Sequence, residues 1–227
     1  MQNTRRSTLV TCHCDPFASR QPLTAQASVP LTLGKFLTFQ EAIAFARRVH
    51  AGQKRANGRA FMSHPMAVLQ ILRAASDILP HVAYVAAILH DTVEDGRATV
   101  QQIRLEFGNE TADAVEALTR TPLPRGADIM DHEQAYLARM AQAHARLPFI
   151  LHIKMADRLH NLETVQHLPQ ERQLATIRTT SSLYLPLLRR VEMRQTEYTE
   201  AFSLLLAQLE ESVRNRMHKP KEAFTMR

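Results

Sequence analysis

Residues 82–95 read VAYVAAILHDTVED, and this stretch decides the fold class. Its first eight residues, Val82 to Leu89, form the longest apolar run of the chain. That run is far shorter than the ~20 residues that a helix needs to cross a bilayer. We therefore expect a central buried helix of a globular protein and no transmembrane span. The HDTVED segment that follows is abruptly polar, with one imidazole and three carboxylates.

Helical periodicity continues on both sides of this stretch. Thr99 and Gln102 have the spacing of a capping box. Pro65 suits a first helical turn, which places His64 at or near a helix N-cap. Pro186 should kink or break the last long helical region. Period-two alternation and internal repeats are not visible, so the sequence predicts an all-α fold.

The composition fits a soluble globular protein of 227 residues, with 45% hydrophobic and 22% charged residues. Two cysteines cannot build a disulfide framework, and they are consistent with a reducing cytoplasm. The net charge of +6 suits an anionic partner, such as a phosphorylated metabolite, a nucleic acid or an acidic membrane. A solvated basic face without a partner would explain the charge equally well.

The first 32 residues differ in composition from the rest, being rich in Thr, Ser, Gln and Pro with a single acid, Asp15. They predict a flexible N-terminal tail, although an Arg- and Ser-bearing, acid-poor start also has some likeness to a transit peptide. Cys12 and Cys14 lack the spacing of a closed zinc site. At the other end, the last fourteen residues are strongly basic.

The HDTVED segment concentrates negative charge at the end of an apolar helix. If the helix that opens at Pro80 continues to Asp95 and stops at Gly96, then His90, Asp91, Glu94 and Asp95 share a sector of about 140°. Burying such charges unpaired costs several kcal/mol or more. A divalent metal or nearby basic residues must compensate, unless the helix end is frayed into water.

A second polar stripe crosses the apolar helix predicted for residues 150–164. It consists of Lys154, Asp157, Asn161 and Thr164, which are spaced i, i+3, i+7 and i+10. A surface helix could show the same stripe. Paired with the first helix, however, Asp157 becomes a candidate fourth metal ligand. Asn161 and Thr164 could then donate hydrogen bonds to a sugar or a phosphate.

The candidate metal ligands are His64, His90, Asp91 and Asp157. This set contains no thiolate and suits Mn, Fe, Zn or Ni with open water positions. Such a metal polarises a phosphoryl oxygen and lowers the pKa of a bound water. Glu94 and Asp95 are placed to take a proton from that water or to give one to the leaving group. The pattern predicts a metal-assisted phosphohydrolase.

The same residues resemble a known family. His64, the His90-Asp91 pair and Asp157 are similar to the H…HD…D signature of the HD phosphohydrolase superfamily. The longer segments resemble, in the same order, the hydrolase domains of the RelA/SpoT type: HAGQKRANG (50–58), SHP (63–65), HDTVED (90–95) and KMADRLHNLETV (154–165). The resemblance covers about residues 35–195. It implies an HD-domain helical bundle, with residues 1–34 as a tail and 196–227 as a C-terminal helix and basic tail.

The resemblance also implies an activity. Members of this family remove the 3′-pyrophosphate from (p)ppGpp, giving GDP or GTP plus pyrophosphate, usually with Mn. It implies the metal ligands His64, His90, Asp91 and Asp157. It makes Glu94 and Asp95 the catalytic pair, and it makes Arg55, Asn161 and Thr164 substrate-binding residues. His50 is expected to be structural, and His160 is given no ligand role. The expected partner is a small nucleotide, with no membrane and no main role for nucleic acid.

Departures from the family pattern lie near the substrate rather than the metal. Residues 58–61 read GRAF where the family commonly has GEPY, and Ala56 stands where a basic residue is frequent. Two alternatives stay open, the first because of this altered loop and the second because of the basic surface. One is hydrolysis of another nucleotide phosphate, such as the 2′-phosphate of NADPH. The other is a non-catalytic module that binds a nucleotide or a nucleic acid.

Overall fold

Helices account for nearly all regular structure in the computed structural model, which describes residues 39–94, 97–191 and 198–218. The predicted all-α fold is confirmed. In these ranges the β pairing is limited to an isolated bridge between Lys54 and Ala60. The helices are α1 (Phe39–Val49), α2 (Ser63–Ala75), α3 (His81–Leu89), α4 (Val100–Phe107), α5 (Asn109–Leu118), α6 (Ile129–His144), α7 (Ile150–Glu163), α8 (Gln170–Thr179), α9 (Leu185–Arg190) and α10 (Thr199–Met217).

Two helices form the centre of the bundle. Residues 83–89 of α3 are all buried, as the apolar run predicts, and so are residues 150–159 of α7. Helix α3 packs against α1, α2, α5 and α7, while α7 also contacts α2, α6 and α10. Because α7 is buried on every side over residues 150–159, Lys154 and Asp157 of its polar stripe face other helices, whereas Asn161 and Thr164 are half-buried.

The end of α3 differs from the prediction. The helix stops at Leu89 instead of continuing to Asp95, and residues 90–94 form hydrogen-bonded turns. The Thr92 hydroxyl donates to the Leu89 carbonyl at 2.6 Å, and His90 Nδ1 lies 2.8 Å from the Ala87 carbonyl oxygen. In a continuing helix these carbonyl oxygens would accept hydrogen bonds from backbone amides. The side chains compete for the same oxygens, which explains why the helix stops early. The expected stop at Gly96 lies outside the described residues.

Other local predictions concern helix starts. The capping box of Thr99 and Gln102 is present at the start of α4. His64 lies in the first turn of α2, one residue after Ser63 begins the helix. Pro186 falls in the first turn of α9, directly after a π-helical turn over residues 180–184. This rare turn interrupts the α-helical pattern next to Pro186, which cannot donate the ordinary hydrogen bond to residue i−4.

Two further points concern the chain as a whole. Among the described residues, every helix is too short or too polar to cross a membrane. The division into residues 1–34, 35–195 and 196–227 stays a prediction, and the first of these segments lies outside the described residues.

Candidate metal centre and adjoining cavity

The four predicted metal ligands meet at one place in the bundle. His64 comes from α2, His90 and Asp91 directly follow α3, and Asp157 comes from the middle of α7. The Nε2 atoms of His64 and His90 are 3.2 Å apart. His90 Nε2 lies 3.1 Å from Asp91 Oδ1, and His64 Nε2 lies 3.2 Å from Asp157 Oδ1. Residues almost a hundred positions apart thus present nitrogen and oxygen atoms to a common point.

This donor set fits a divalent cation. Ligand atoms of His64, His90 and Asp157 all lie within 4.8 Å of one another, and these residues are buried. Asp91 adds a carboxylate whose oxygens are 3.1 and 3.4 Å from the two ring nitrogens. Two imidazoles and two carboxylates without a thiolate suit a metal of hard or borderline character. A cation at this point would also compensate the paired carboxylates.

Each histidine is oriented through its second ring nitrogen. His90 Nδ1 donates to the Ala87 carbonyl. When the ring is neutral, as it would be with a metal bound, the lone pair of Nε2 is directed at the cluster. His64 Nδ1 lies 2.7 Å from Nδ1 of His160. Burial, reinforced by the charges of His64 and Arg55, lowers the pKa of His160 to about 4, so this ring is neutral and its Nδ1 can accept a hydrogen bond from the Nδ1–H of His64.

His160 was not assigned a role from the sequence. Its position three residues after Asp157 on the same helix could have revealed it, because i and i+3 side chains are neighbours on a helix. It contacts His64, one of the candidate ligands.

Asp157 is held by two partners on its own helix. Lys154 Nζ is 2.8 Å from Oδ2, and Asn161 Nδ2 donates to Oδ1 at 2.6 Å. Lys154 is only 3% exposed, so the pair is fully inside the protein. Burial opposes ionisation of Asp157, but the Lys154 charge together with His64 and His90 outweighs it and holds the pKa of this carboxyl well below its usual range. Asp157 is therefore a carboxylate and can serve as a ligand.

The carboxylates of the cluster favour positive charge on their neighbours. Burial opposes protonation of His90, but the neighbouring Asp91 carboxylate outweighs burial and raises the pKa of His90 to about 9. His90 in turn lowers the pKa of Asp91 against the effect of its burial. Burial lowers the pKa of His64. Without a metal, a proton on His90 balances part of the negative charge, and metal binding at Nε2 would release that proton.

Glu94 is placed differently from the four ligands. It is on the surface, and its carboxylate accepts from the Arg120 backbone amide at 3.1 Å and from the Arg120 guanidinium at 3.3 Å. Its role as a catalytic residue stays a prediction. Asp95, its predicted partner, lies outside the described residues.

Arg120 is at the centre of a hydrogen-bond network that the sequence did not predict. Its guanidinium donates to both carboxylate oxygens of Glu133, at 3.1 and 3.2 Å, and to the hydroxyl of Tyr184 at 3.0 Å. The Tyr184 hydroxyl also donates to Glu133. Burial opposes ionisation of Glu133, but the hydrogen bonds and charge of Arg120, together with Tyr184 and Lys154, outweigh it and lower the pKa of Glu133. These partners come from α6 and the π turn, so the network fixes Arg120 beside Glu94.

A cavity of about 410 Å³ adjoins the cluster on the Asn161 side. It brings together all three predicted substrate-binding residues, Arg55, Asn161 and Thr164, and Arg55 donates to the Asn161 side-chain oxygen at 2.9 Å. Phe61 also lines it, beneath Arg55, and its ring stacks on His50 at 4.4 Å. His50 is buried in this stack, in keeping with its expected structural role.

The cavity wall is strongly basic. Besides Arg55, it carries cationic or ionisable side chains that the sequence analysis did not single out, namely Lys54, Arg158, His167 and Arg172. They come from the loop after α1, from α7 and from the segment around α8. Such a wall favours a ligand with several negative charges.

Comparison with known proteins gives a consistent picture. A family model described as HD domain matches residues 42–194. A probable guanosine-3′,5′-bis(diphosphate) 3′-pyrophosphohydrolase of Synechocystis is 36% identical over 151 residues, which cover 66% of this chain and 20% of that protein. A probable GTP pyrophosphokinase of Mycobacterium leprae is 38% identical, covering 70% and 20%. The bifunctional (p)ppGpp synthase/hydrolase SpoT of Escherichia coli is 32% identical, covering 67% and 21%.

A solved structure supports the fold. It is described as a metazoan ortholog of SpoT that hydrolyzes ppGpp, and it superposes with a TM-score of 0.62 at 24% sequence identity. The match covers 78% of this chain and 94% of that chain. By contrast, the chain spans only about a fifth of the length of the curated relatives named above.

Proposed function

Because the chain belongs to the HD domain family, we propose that it is a metal-dependent hydrolase of (p)ppGpp. The reaction removes the 3′-pyrophosphate and leaves GDP or GTP. The observation that carries the proposal is the convergence of two histidines and two aspartates beside a basic cavity of nucleotide size. Metal-assisted cleavage of a phosphate ester needs both features, a cation site and a place for the nucleotide.

The proposed ligands are His64, His90, Asp91 and Asp157, and the proposed metal is Mn, which imidazole and carboxylate ligands suit. When bound, the metal would polarise a phosphoryl oxygen and lower the pKa of a bound water. Glu94 and Asp95 are proposed to handle the proton of that water. The expected cytoplasmic location belongs to the same proposal.

The proposed nucleotide contacts are made by Arg55, Asn161 and Thr164. Arg55 lies over the cavity with its guanidinium hydrogen-bonded to Asn161, so its plane is available for stacking on a base. Asn161 also holds Asp157, and it therefore couples the nucleotide cavity to the metal centre. The basic wall supports a substrate with two diphosphate groups.

The test uses purified protein loaded with Mn and assayed for release of pyrophosphate from ppGpp. Asp91→Ala and Asp157→Ala should abolish turnover while leaving the helical circular dichroism spectrum in place. Full metal loading of the wild-type protein with no turnover of ppGpp would refute this function.

A second candidate is hydrolysis of another nucleotide phosphate, such as the 2′-phosphate of NADPH. It is favoured by Phe61, which lines the cavity where the family commonly has a tyrosine hydroxyl. Relative kcat/KM values for ppGpp, pGpp, ppApp, NADPH and dNTPs would decide between the two. A non-catalytic role would require metal and nucleotide binding with no turnover of any of them.

A further inference from the structure

Arg158 is a buried cation that the proposed mechanism does not use. It follows Asp157 on α7, and only 7% of it is exposed. Its contacts are with α8 and the π turn, which supply none of the candidate metal ligands. It lines the 410 Å³ cavity and also a second cavity of about 190 Å³, and Thr176 likewise lines both. The two cavities therefore adjoin each other at Arg158.

The partners of Arg158 are all neutral. One terminal nitrogen donates to the Thr180 hydroxyl at 2.9 Å and approaches the Thr176 carbonyl at 3.4 Å. The guanidinium carbon lies 4.9 Å from the centre of the Tyr184 ring. Its Nε atom is buried without a hydrogen-bond partner among the described residues.

Other cations of the interior are paired with acids. Lys154 is 2.8 Å from Asp157, and Arg120 is 3.1 Å from Glu133. Within the described ranges, no carboxylate comes within 4 Å of Arg158. The ring of Tyr184 offsets part of the cost of burying this charge. The unpaired Nε–H and the missing counter-charge leave Arg158 incompletely compensated, which is unfavourable inside a protein.

We propose that Arg158 binds the 5′-diphosphate of a nucleotide in the larger cavity. This is the diphosphate that is not cleaved at the metal centre. A guanidinium presents a planar fork of donors that matches phosphate oxygens. The phosphate would supply the missing counter-charge. This inference rests on the proposed nucleotide substrate, and it makes Arg158 a residue that selects for the 5′-phosphorylation state.

The experiment measures binding rather than turnover. Isothermal titration of the metal-loaded protein with GDP and with guanosine gives the affinity ratio that the 5′-diphosphate contributes. We expect wild type to prefer GDP, Arg158→Gln to lower the GDP-to-guanosine ratio about tenfold or more, and Arg158→Lys to retain part of it. The matched control is Arg47→Gln, which removes an exposed arginine from α1 and should leave the ratio unchanged.

Thermal unfolding of each variant checks that it is folded. If Arg158→Gln does not fold, Arg158→Lys decides, since loss of the planar fork should lower the ratio while the charge remains. A ratio equal to that of wild type in the folded variant, or no preference of wild type for GDP, would overturn the inference. Preference for GDP without hydrolysis of ppGpp would instead refute only the proposed function.

Discussion

At the scale of single residues, the ion pair between Lys154 and Asp157 has the greatest energetic consequence. It is buried, and the 2.8 Å contact leaves the other carboxylate oxygen for His64 and Asn161. Breaking a buried pair by removing one partner leaves a charge without compensation. Lys154 therefore both stabilises the bundle and keeps Asp157 in the orientation that a metal ligand needs.

We predict that Lys154→Met lowers the free energy of unfolding of the metal-free protein by about 3–5 kcal/mol. The loss should be smaller in saturating Mn, because the metal then compensates the Asp157 charge. Urea unfolding in EDTA and in Mn measures both values. Equal losses under the two conditions would mean that Asp157 does not bind the metal.

The sequence motifs predicted which residues meet at the candidate metal centre better than they predicted the contacts around it. His64, His90, Asp91 and Asp157 stand in short motifs whose spacing can be recognised, and the structure brings them together. The contact of His160 with His64 joins residues 96 positions apart, and that of Arg120 with Glu94 spans 26. Such contacts depend on how helices pack, which local spacing does not determine.

At the scale of elements, the connection from α5 to α6 is tied to the segment after α3. Arg120 lies just after α5, and it holds Glu94 through its backbone and its side chain. Glu133 of α6 and Tyr184 of the π turn hold Arg120 in turn. The position of Glu94 therefore depends on three separate elements.

We predict that Arg120→Met lowers kcat for ppGpp about a hundredfold with a much smaller change in KM, because Glu94 loses its support. In a Glu94→Gln background the same substitution should have little further effect. Arg104→Met is the control, since it removes an arginine paired with Asp113 at 2.9 Å, on α4 and α5. Additive effects of Arg120→Met and Glu94→Gln would contradict this role.

Element boundaries were predicted where local chemistry decides them. Thr99 and Gln102 cap α4 through hydrogen bonds to each other and to nearby backbone. All the residues of this capping box are close in the sequence, so it can be predicted from the sequence. The predicted end of α3 was wrong. Periodicity alone cannot show that the side chains of Thr92 and His90 hydrogen-bond to the carbonyl oxygens of Leu89 and Ala87. The π turn before Pro186 likewise requires the packing of Tyr184 and Thr180, both buried.

At the scale of the whole molecule, stability should depend on pH through His152. This side chain is completely buried on α7, and Nε2 lies 3.0 Å from the Tyr198 carbonyl. Burial, helped by the neighbouring His144, lowers the pKa of His152 below 6.5. Between that lowered value and 6.5, the unfolded chain binds more protons than the folded protein, so stability falls as the pH falls.

We predict that the free energy of unfolding decreases as the pH is lowered from 7 to 5, and that His152→Gln reduces this slope. Urea unfolding across this range gives the difference between wild type and variant, which isolates His152 from the histidines of the metal centre. If the two pH profiles are parallel, His152 does not titrate with unfolding.

Metal binding should also stabilise the molecule as a whole, because its proposed ligands come from α2, the end of α3 and α7. The unfolded chain cannot bring these ligands together, so a cation binds the folded state preferentially. At a free Mn concentration of a hundred times the Kd, this adds about 2.7 kcal/mol. For a chain of this size that corresponds to a rise in Tm of about 5–10 °C. The rise should increase from pH 6 to about pH 9, since protons compete with the metal for His90, whose pKa is raised to about 9.

Differential scanning fluorimetry in EDTA and in increasing Mn would measure this shift. Asp91→Asn is the matched variant, because it keeps the size of the side chain, lies partly exposed and removes one ligand charge. We expect it to reduce the Mn-dependent rise by more than half, while the melting temperature in EDTA falls because the variant loses the ion pair with protonated His90. Equal shifts for wild type and Asp91→Asn would place the bound ion elsewhere, and the convergence of α2, α3 and α7 would then serve packing alone.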